Sequence, residues 1–541
     1  MLTLLSSSTN GMVIGAMKAA IPFGIGLASA TFMAAKIALS PEFSTDKRIP
    51  IASLRPGDSS HDDEYNEDPD AFLERCEKEY GPVFNVYLLN MALTVISGPQ
   101  AREVFTNESF SANDALEELT CMRSYFDTGR KSNNNYNNRT IPALIRDMIT
   151  RFIPTYIPKI VAQMEKVIDQ ELGYCPAQRG AKLVEKPLLV FQKIIANATA
   201  LVFVGPEIAK SRKIIDTFIS ASKDFGKTFG NGGVRASKWR TFIQRANYKL
   251  FHPLRNHAQI LAEASMSVIL ERRRLEALAN EAGIEFEQPD DVLQHMFDDF
   301  DKHGLVDLED ICAFALIISG AIVHTITDAS TNMLYYLAAF PQYMDRLFQE
   351  QQQVLDTIQA EREQARQERS REGKPIGDDL DPAHDRDLTA AAIKKMIYMD
   401  SFVREVFRFR TERLGIMHLA LEDVTLSSGI MISKGSTVII NTRPAHQSSE
   451  NGEDVTEFRP WRFVGKNKAA TKVGMDYLPF GMGRHACPGR FIVVEQLKAV
   501  GALMVSKYSK IEIQDPSKTK MALCTHIGEP IDTGLKFTSR E

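Results

Sequence analysis

The stretch that most constrains this chain runs from Phe480 to Phe491 and reads FGMGRHACPGRF. It sets one cysteine, Cys487, among Gly481, Gly483 and Gly489, with Pro488 after it and Phe480 upstream. A lone thiolate needs such surroundings to hold a redox-active iron. Glycines tolerate positive φ and close approach, so backbone N–H groups can turn back toward the sulfur. Hydrogen bonds to the sulfur and an apolar shield tune a metal's potential, and Phe480 is the candidate shield. The next residues, FIVVEQLKAVGALMV, are apolar at helical spacing, which predicts a helix beginning near Cys487. Its N-terminal dipole favours the charged form of the sulfur. The plain alternative is a small hydrophobe in a glycine-rich turn, the usual lot of a buried free cysteine.

Taken whole, the run resembles the cysteine-loop signature of the haem-thiolate monooxygenases, the cytochromes P450, written FxxGxRxCxG. Phe480, Gly483, Cys487 and Gly489 match it, and His485 stands where the pattern has Arg. With His in that slot the run is similar to fungal members. The resemblance implies a single, mainly α fold with a smaller β portion: a triangular helical domain, a long central oxygen-binding helix, and haem b (iron protoporphyrin IX) against the cysteine loop. It implies Cys487 as the metal ligand and Phe480, Gly481, Gly483, Arg484, His485, Pro488 and Gly489 as haem-binding residues.

A length of 541 residues suits several ordinary domains or one large enzyme fold. A formal net charge of −5, with no basic patch interleaved with aromatics, argues against a nucleic-acid binder. The six cysteines form no CxxC pair, which fits a reducing compartment and gives no zinc or disulfide pattern.

Residues 1–40 are expected to be a single-pass membrane anchor. Ala19 to Ala35 carries no charge, between Lys18 and Lys36, and its 17 residues lie at the lower edge of a span. Basic residues after it (Lys36, Lys47, Arg48, Arg55) outnumber the one before it, which puts the bulk of the chain in the cytosol. A surface-lying helix is the main alternative. A cleaved signal peptide fits less well, since Lys36 follows and no clear A-x-A exit is present. Residues 41–70, rich in Pro, Ser and acids, are expected to be a linker, and 71–541 the catalytic domain. FLERCEKEYG reads as an amphipathic helix stopped by Gly81, and PVFNVYLLNMALTVIS as a hairpin.

Helical spacing recurs from Pro142 to Leu172, Pro187 to Phe203 and Ile208 to Phe229. The basic stretch from Arg235 to Lys249 is expected to be a loop and helix near the membrane. A Trp that the family often uses on a haem propionate is missing from the irregular stretch before Pro142, so Arg139 and Arg146 are the candidates there. Leu305 to Phe340 is the longest apolar helical run, ended by Pro341, and is expected to cross the core. In its middle, Thr325 either bonds back to the carbonyl four residues earlier or marks a local break beside a ligand. The spacing resembles the family's oxygen-binding helix, AGx(D/E)T(T/S). Ala321 and Thr325 fit, His324 occupies the acid position, and Ile322 and Ile326 depart from the pattern. The resemblance implies Thr325 and His324 as catalytic residues and Ala321 as part of the haem site.

Gln349 to Asp387 is strongly charged and reads as a solvated helix and a loop. In MIYMDSFVREVFRFR, Glu405 and Arg408 share one helix face. With the cysteine loop downstream, the pair resembles the family's ExxR signature, which locks to a basic residue in a later segment, here Arg462 of FRPWRF. These three are assigned structure, not catalysis. HLALEDVTLSSGIMISKGSTVII reads as strands around a Ser-Gly turn, and His418 stands where the family often has a propionate-binding Arg. The charge at positions 418 and 485 therefore depends on pH. The tail, CTHIGEPIDTGLKF, is expected to form a final hairpin, and the resemblance implies Thr525, His526 and Ile527 as substrate contacts.

No GxGxxG fingerprint is present, so electrons come from outside. The resemblance implies NADPH–cytochrome P450 reductase as partner, with cytochrome b5 as a second donor, docking on the cysteine side near Arg484, Arg490 and Lys498. It implies an endoplasmic reticulum membrane location with the catalytic domain facing the cytosol. It also implies O2 and a lipophilic small molecule as substrates: a steroid, terpenoid, fatty acid or secondary-metabolite intermediate. Two other readings keep the haem: a reductase-independent isomerase or peroxygenase, and a non-catalytic haem-binding sensor.

Overall fold

Apolar side chains at helical spacing dominate the chain, and the architecture follows: 61% of the described residues are helix and 11% strand. The computed structural model describes residues 46–88, 91–120, 141–176, 178, 180–231, 254–302, 308–377, 380–410, 413–524 and 531–541. The expected anchor, Arg139, the 235–249 segment and Thr525, His526 and Ile527 lie outside the described residues.

Among the described residues the longest element is the central helix, Leu308–Ala339, about 48 Å at 1.5 Å per residue. Pro341 follows it in a short 3-10 turn, since proline cannot continue the hydrogen-bond ladder. The helix is buried nearly all round, and helices Pro187–Ala209, Arg212–Asn231, Arg255–Ala282 and Arg490–Lys507 pack against it. Among the described residues, two helices, Pro187–Ala209 and Ile311–Ala339, are long and apolar enough to cross a membrane, yet 67% and 78% of their most apolar windows are buried inside the fold. They are core helices. The run from Pro142 to Leu172 is two helices, Ile141–Met148 and Ile153–Glu171, separated at Thr150–Phe152. Pro154 explains the break: its ring would clash with the carbonyl of Thr150 in a continuous helix, but fits a helix's first turn.

Among the described residues, ten strands complete the fold. β1 (Val83–Leu88) and β2 (Met91–Ile96) form the expected antiparallel hairpin. They join β3 (Phe110–Ser111), β5 (Leu414–Ala420) and β8 (Thr437–Asn441) in a sheet ordered β1-β2-β8-β5-β3, in which β2 and β8 run parallel. β6 (Val424–Thr425) pairs with β7 (Met431–Ile432). β4 (Lys182–Val184), β10 (Leu535–Ser539) and β9 (Tyr508–Ile513) form a third sheet. Of the tail expected to form a hairpin, Cys524–Phe537, residues 525–530 lie outside the described residues; before it Thr519–Cys524 is helical, and after it β10 pairs antiparallel with β9. Part of the segment expected to be a linker also packs on the large sheet. Ile49 and Ala52 are buried, Ile51 bridges to Asn85, and Asp62–Glu67 is a helix. Too few apolar residues alternate there to read as a strand.

Candidate active site

The cysteine loop comes from the end of an irregular segment and feeds helix Arg490–Lys507 three residues after Cys487. Gly481 and Gly483 adopt φ of +65° and +64°, where a side chain would be strained. Gly489 does not: its backbone is ordinary, and a Cβ would meet Cys487 Sγ at 3.9 Å, a normal contact. The loop closes on itself through Cys487 N–H donating to Phe480 O at 2.7 Å. Arg490 clamps it, with Nη1 donating to Cys487 O at 2.8 Å and Nε to Thr471 O at 3.2 Å. Burial pushes the Cys487 thiol up, while the N–H groups of Gly489 and Arg490 and the Arg490 charge pull it down. Those N–H groups are the ones that stabilise a thiolate.

Cys487 faces a cavity of about 360 Å³. Phe480, Gly481, His485 and Leu497 line it with Cys487, and Thr325, Ala329 and Met333 of the central helix line it as well. Phe407 meets Phe480 at a ring separation of 5.1 Å. Thr325 Oγ1 donates to Ala321 O at 2.8 Å, and the helix runs through without a break. The bond back along the helix is therefore present, and the hydroxyl oxygen still faces the cavity with its lone pairs. His324 is partly buried and is not among the cavity's lining residues. Burial holds it neutral, lowering its pKa against a weak upward pull from Asp328.

β5 bulges between Gly415 and His418, and Ile416 sits there at φ 56°, a strained conformation for a β-branched residue. The bulge turns Ile416 into the cavity and brings His418 behind it. His418 is fully buried, and its Nδ1–H donates to Ile416 O at 2.9 Å. Its Nε2 is left with no partner among the described residues. Burial first, then His485 and Arg484, push its pKa down to about 4. His485 lies edge-on to it at 5.3 Å and accepts from Arg484 Nε at 3.0 Å. Burial and Arg484 lower its pKa too. Both rings are thus neutral at physiological pH, and Arg484 is the cation beside them, bonded to Phe110 O at 3.1 Å. A neutral His418 presents Nε2 as an acceptor, and a carboxylate beside it would draw a second proton there. A thiol on one wall, a glycine cradle and, behind Ile416, an orphaned buried imidazole nitrogen fit a haem.

Glu405 is the centre of the adjoining network. It is fully buried and accepts from Arg408 at 2.8 and 2.9 Å, from Arg462 Nε at 3.1 Å and from the Arg459 N–H at 2.9 Å. Arg408 and Arg462 then donate to carbonyls of His446, Asp454 and Glu457. This pins the segment that leads into the cysteine loop.

Two expectations change. Lys498 is 2% exposed, on the buried side of the cysteine helix and 3.9 Å from Asp400, so it presents nothing to a docking partner. Arg146 is exposed and paired with Asp147, and it does not line the cavity. The sequence reading also missed Asp328, Asn332 and Arg410, all buried and all lining the Cys487 cavity. The available signal was a charged residue inside an apolar helix, three positions after Thr325 and so on the same face.

A cysteine loop facing a hydroxyl across one cleft defines a haem-thiolate protein. The chain belongs to the cytochrome P450 family, whose model matches residues 62–531. It is 26% identical over 450 residues to cytochrome P450 monooxygenase 151 of Postia placenta, covering 81% of this chain and 82% of that one. It is 26% identical over 482 residues to cytochrome P450 monooxygenase paxP of Penicillium paxilli, covering 86% and 83%. The fold matches that of retinoic acid-bound cyanobacterial CYP120A1 with a TM-score of 0.61 at 17% identity, over 92% of this chain and all of that one. The chain is thus an oxidoreductase of the monooxygenase family, and the family implies haem-thiolate iron, O2 and a small-molecule substrate.

Proposed function

We propose that this chain is a membrane-anchored monooxygenase that holds haem b through Cys487 Sγ and inserts one oxygen atom of O2 into a lipophilic molecule. The candidate class is a steroid, terpenoid, fatty acid or secondary-metabolite intermediate. The observation that carries the reading is one cavity with Cys487 and Thr325 both in its walls. The reaction takes up O2, two electrons and two protons and returns the hydroxylated product and one water.

When bound, the haem supplies the oxidant, because a thiolate ligand favours O–O cleavage. The chain's own residues do the rest. Phe480 shields the sulfur, Pro488 and Gly489 carry the chain from Cys487 into its helix, and Gly481 and Gly483 turn the backbone beneath it. His418, His485 and Arg484 would hold the carboxylates of the haem edge. Thr325, held by Ala321 O, keeps its oxygen free to accept from a water in the cavity. His324 stands beside it as a neutral packing partner. The mostly apolar wall of Ala329, Met333, Val403 and Phe407 keeps bulk water out.

Electrons come from NADPH through a flavoprotein reductase, with cytochrome b5 as a second donor, docking by the cysteine face around Arg484 and Arg490. Residues 1–40 anchor the chain in the endoplasmic reticulum membrane with residues 71–541 in the cytosol. Asn107, Asn138 and Asn197 are acceptor sequons, so their glycosylation in cells would reverse this topology. Cys487→Ala tests the centre of the reading: the reduced, CO-bound protein should lose its thiolate-type red shift, and retention of that shift would name another ligand. A panel of lipophilic compounds, scored by displacement of the haem-bound water in the spectrum, then finds the substrate class.

A further inference from the structure

Asp328 and Asn332 lie one turn apart on the central helix, 5% and 2% exposed. Asn332 Nδ2 donates to Asp328 Oδ2 at 3.0 Å, and Asn332 Oδ1 accepts from Arg410 Nε at 2.8 Å. Burying such groups is costly unless they are fully paired, and Arg410 Nη2 has no partner among the described residues. Packing alone does not account for them.

Asp328 and Asn332 belong to the walls of two cavities. One holds Cys487 and Thr325. The other, of about 610 Å³, opens at the surface between the exposed Glu185, Lys186, Gln514 and Asp532, and reaches inward to Asp328, Asn332 and Tyr335. A polar partition thus separates a solvent-facing, charged cleft from the reaction chamber. Thr325 stands on the chamber side, three residues before Asp328 and on the same helix face. His324 lines neither cavity.

We propose that Asp328 is the proton-relay carboxylate of this enzyme. It takes protons from water in the Lys186–Asp532 cleft and passes them to water held at Thr325, while Asn332 and Arg410 fix its orientation. The inference rests on the monooxygenase reading above. Only O–H bonds change: the carboxylate gains a proton from one side, gives it to the other and is restored. The protons delivered are the two that O2 reduction by NADPH consumes.

The test uses the full-length ferric holoprotein and two small ligands, followed by stopped-flow absorbance. Hydrogen cyanide binds haem as the anion and must shed its proton inside the chamber, whereas imidazole binds without losing one. In Asp328→Asn, cyanide binding should slow about tenfold or more while imidazole binding stays within about twofold, and Asp328→Glu should recover most of the cyanide rate. Leu189→Trp, at an exposed position lining the outer cleft, should slow cyanide alone without touching the buried cluster. Equal slowing of both ligands would make Asp328 a merely structural wall, and no slowing of either would also overturn the relay. A wild-type protein without the thiolate-type CO spectrum defeats the monooxygenase reading itself. With that spectrum intact and cyanide kinetics unchanged in both Asp328→Asn and Leu189→Trp, the relay alone fails.

Discussion

Glu405 and Asp328 are both carboxylates sunk in the core beside the same cleft, and their surroundings follow opposite rules. Around Glu405, four N–H donors meet one carboxylate, and the arginines that supply three of them go on to backbone carbonyls. No buried side-chain atom of Glu405, Arg408 or Arg462 lacks a partner. Around Asp328, Asn332 links the carboxylate to Arg410, one guanidinium nitrogen of Arg410 has no partner among the described residues, and cavities adjoin the cluster on two sides. Saturated networks of buried charge fix one geometry, whereas open ones keep capacity for water and protons at a cost in stability. The first cluster holds the site together, and the second is where exchange with solvent is cheapest.

The largest effect should come from breaking the saturated cluster. Glu405→Ala strands two buried guanidinium groups and should cost about 3–5 kcal/mol, read by urea unfolding or as failure to retain haem. A second test of that side uses pH. His446 bridges the networks, since its carbonyl accepts from Arg408 and its Nε2 accepts from the Leu478 N–H at 3.0 Å. Burial first, then Arg408 and neighbouring arginines, push its pKa from 6.5 down to about 3. The unfolded chain therefore takes up a proton below pH 6.5 that the folded chain refuses, so this contribution to stability is intact above 6.5 and is lost as pH falls toward 3. Lowering the pH from 7 to 4.5 should cost wild type about 2–3 kcal/mol more than His446→Gln, which does not titrate.

The open cluster should resist damage better. Arg410→Met removes a charge that is incompletely paired and should destabilise by only about 1–2 kcal/mol in the same unfolding assay. A loss as large as that of Glu405→Ala would erase the contrast. Thr325→Ala should leave stability within about 0.5 kcal/mol, because the bond to Ala321 duplicates a carbonyl already used by the helix. Its expected signature is chemical: less product per NADPH and more peroxide, by about tenfold.

Much of this frame was legible in the residues. Gly81 stops helix Pro69–Tyr80, Pro341 stops the central helix, and the alternation around Asn90 marks the β1–β2 hairpin, because each is set by local backbone chemistry or one buried face. The ExxR pair and the cysteine loop declared themselves by spacing. Long charged side chains did not. Glu350 lies in the charged run from Gln349 to Asp387, yet it is 5% exposed and accepts the N–H groups of Tyr398 and Met399 at 2.6 and 2.9 Å. Lys498, on the cysteine helix, is buried as well. Asp328 meets Arg410 through Asn332 across far-separated stretches of chain. Periodicity reports which face of a helix is buried; which charges cross the core depends on tertiary packing that no local pattern encodes.

Ile416 carries a last implication. Its backbone occupies a left-handed conformation costing on the order of 1–3 kcal/mol, while its side chain helps set the size of the reaction chamber. Glycine adopts that conformation freely, so trimming this one residue would enlarge the room for a bulkier guest and relax the chain at the same time. In most enzymes a wider pocket weakens the scaffold; here laboratory evolution toward broader substrate scope has a starting point where the two demands run together.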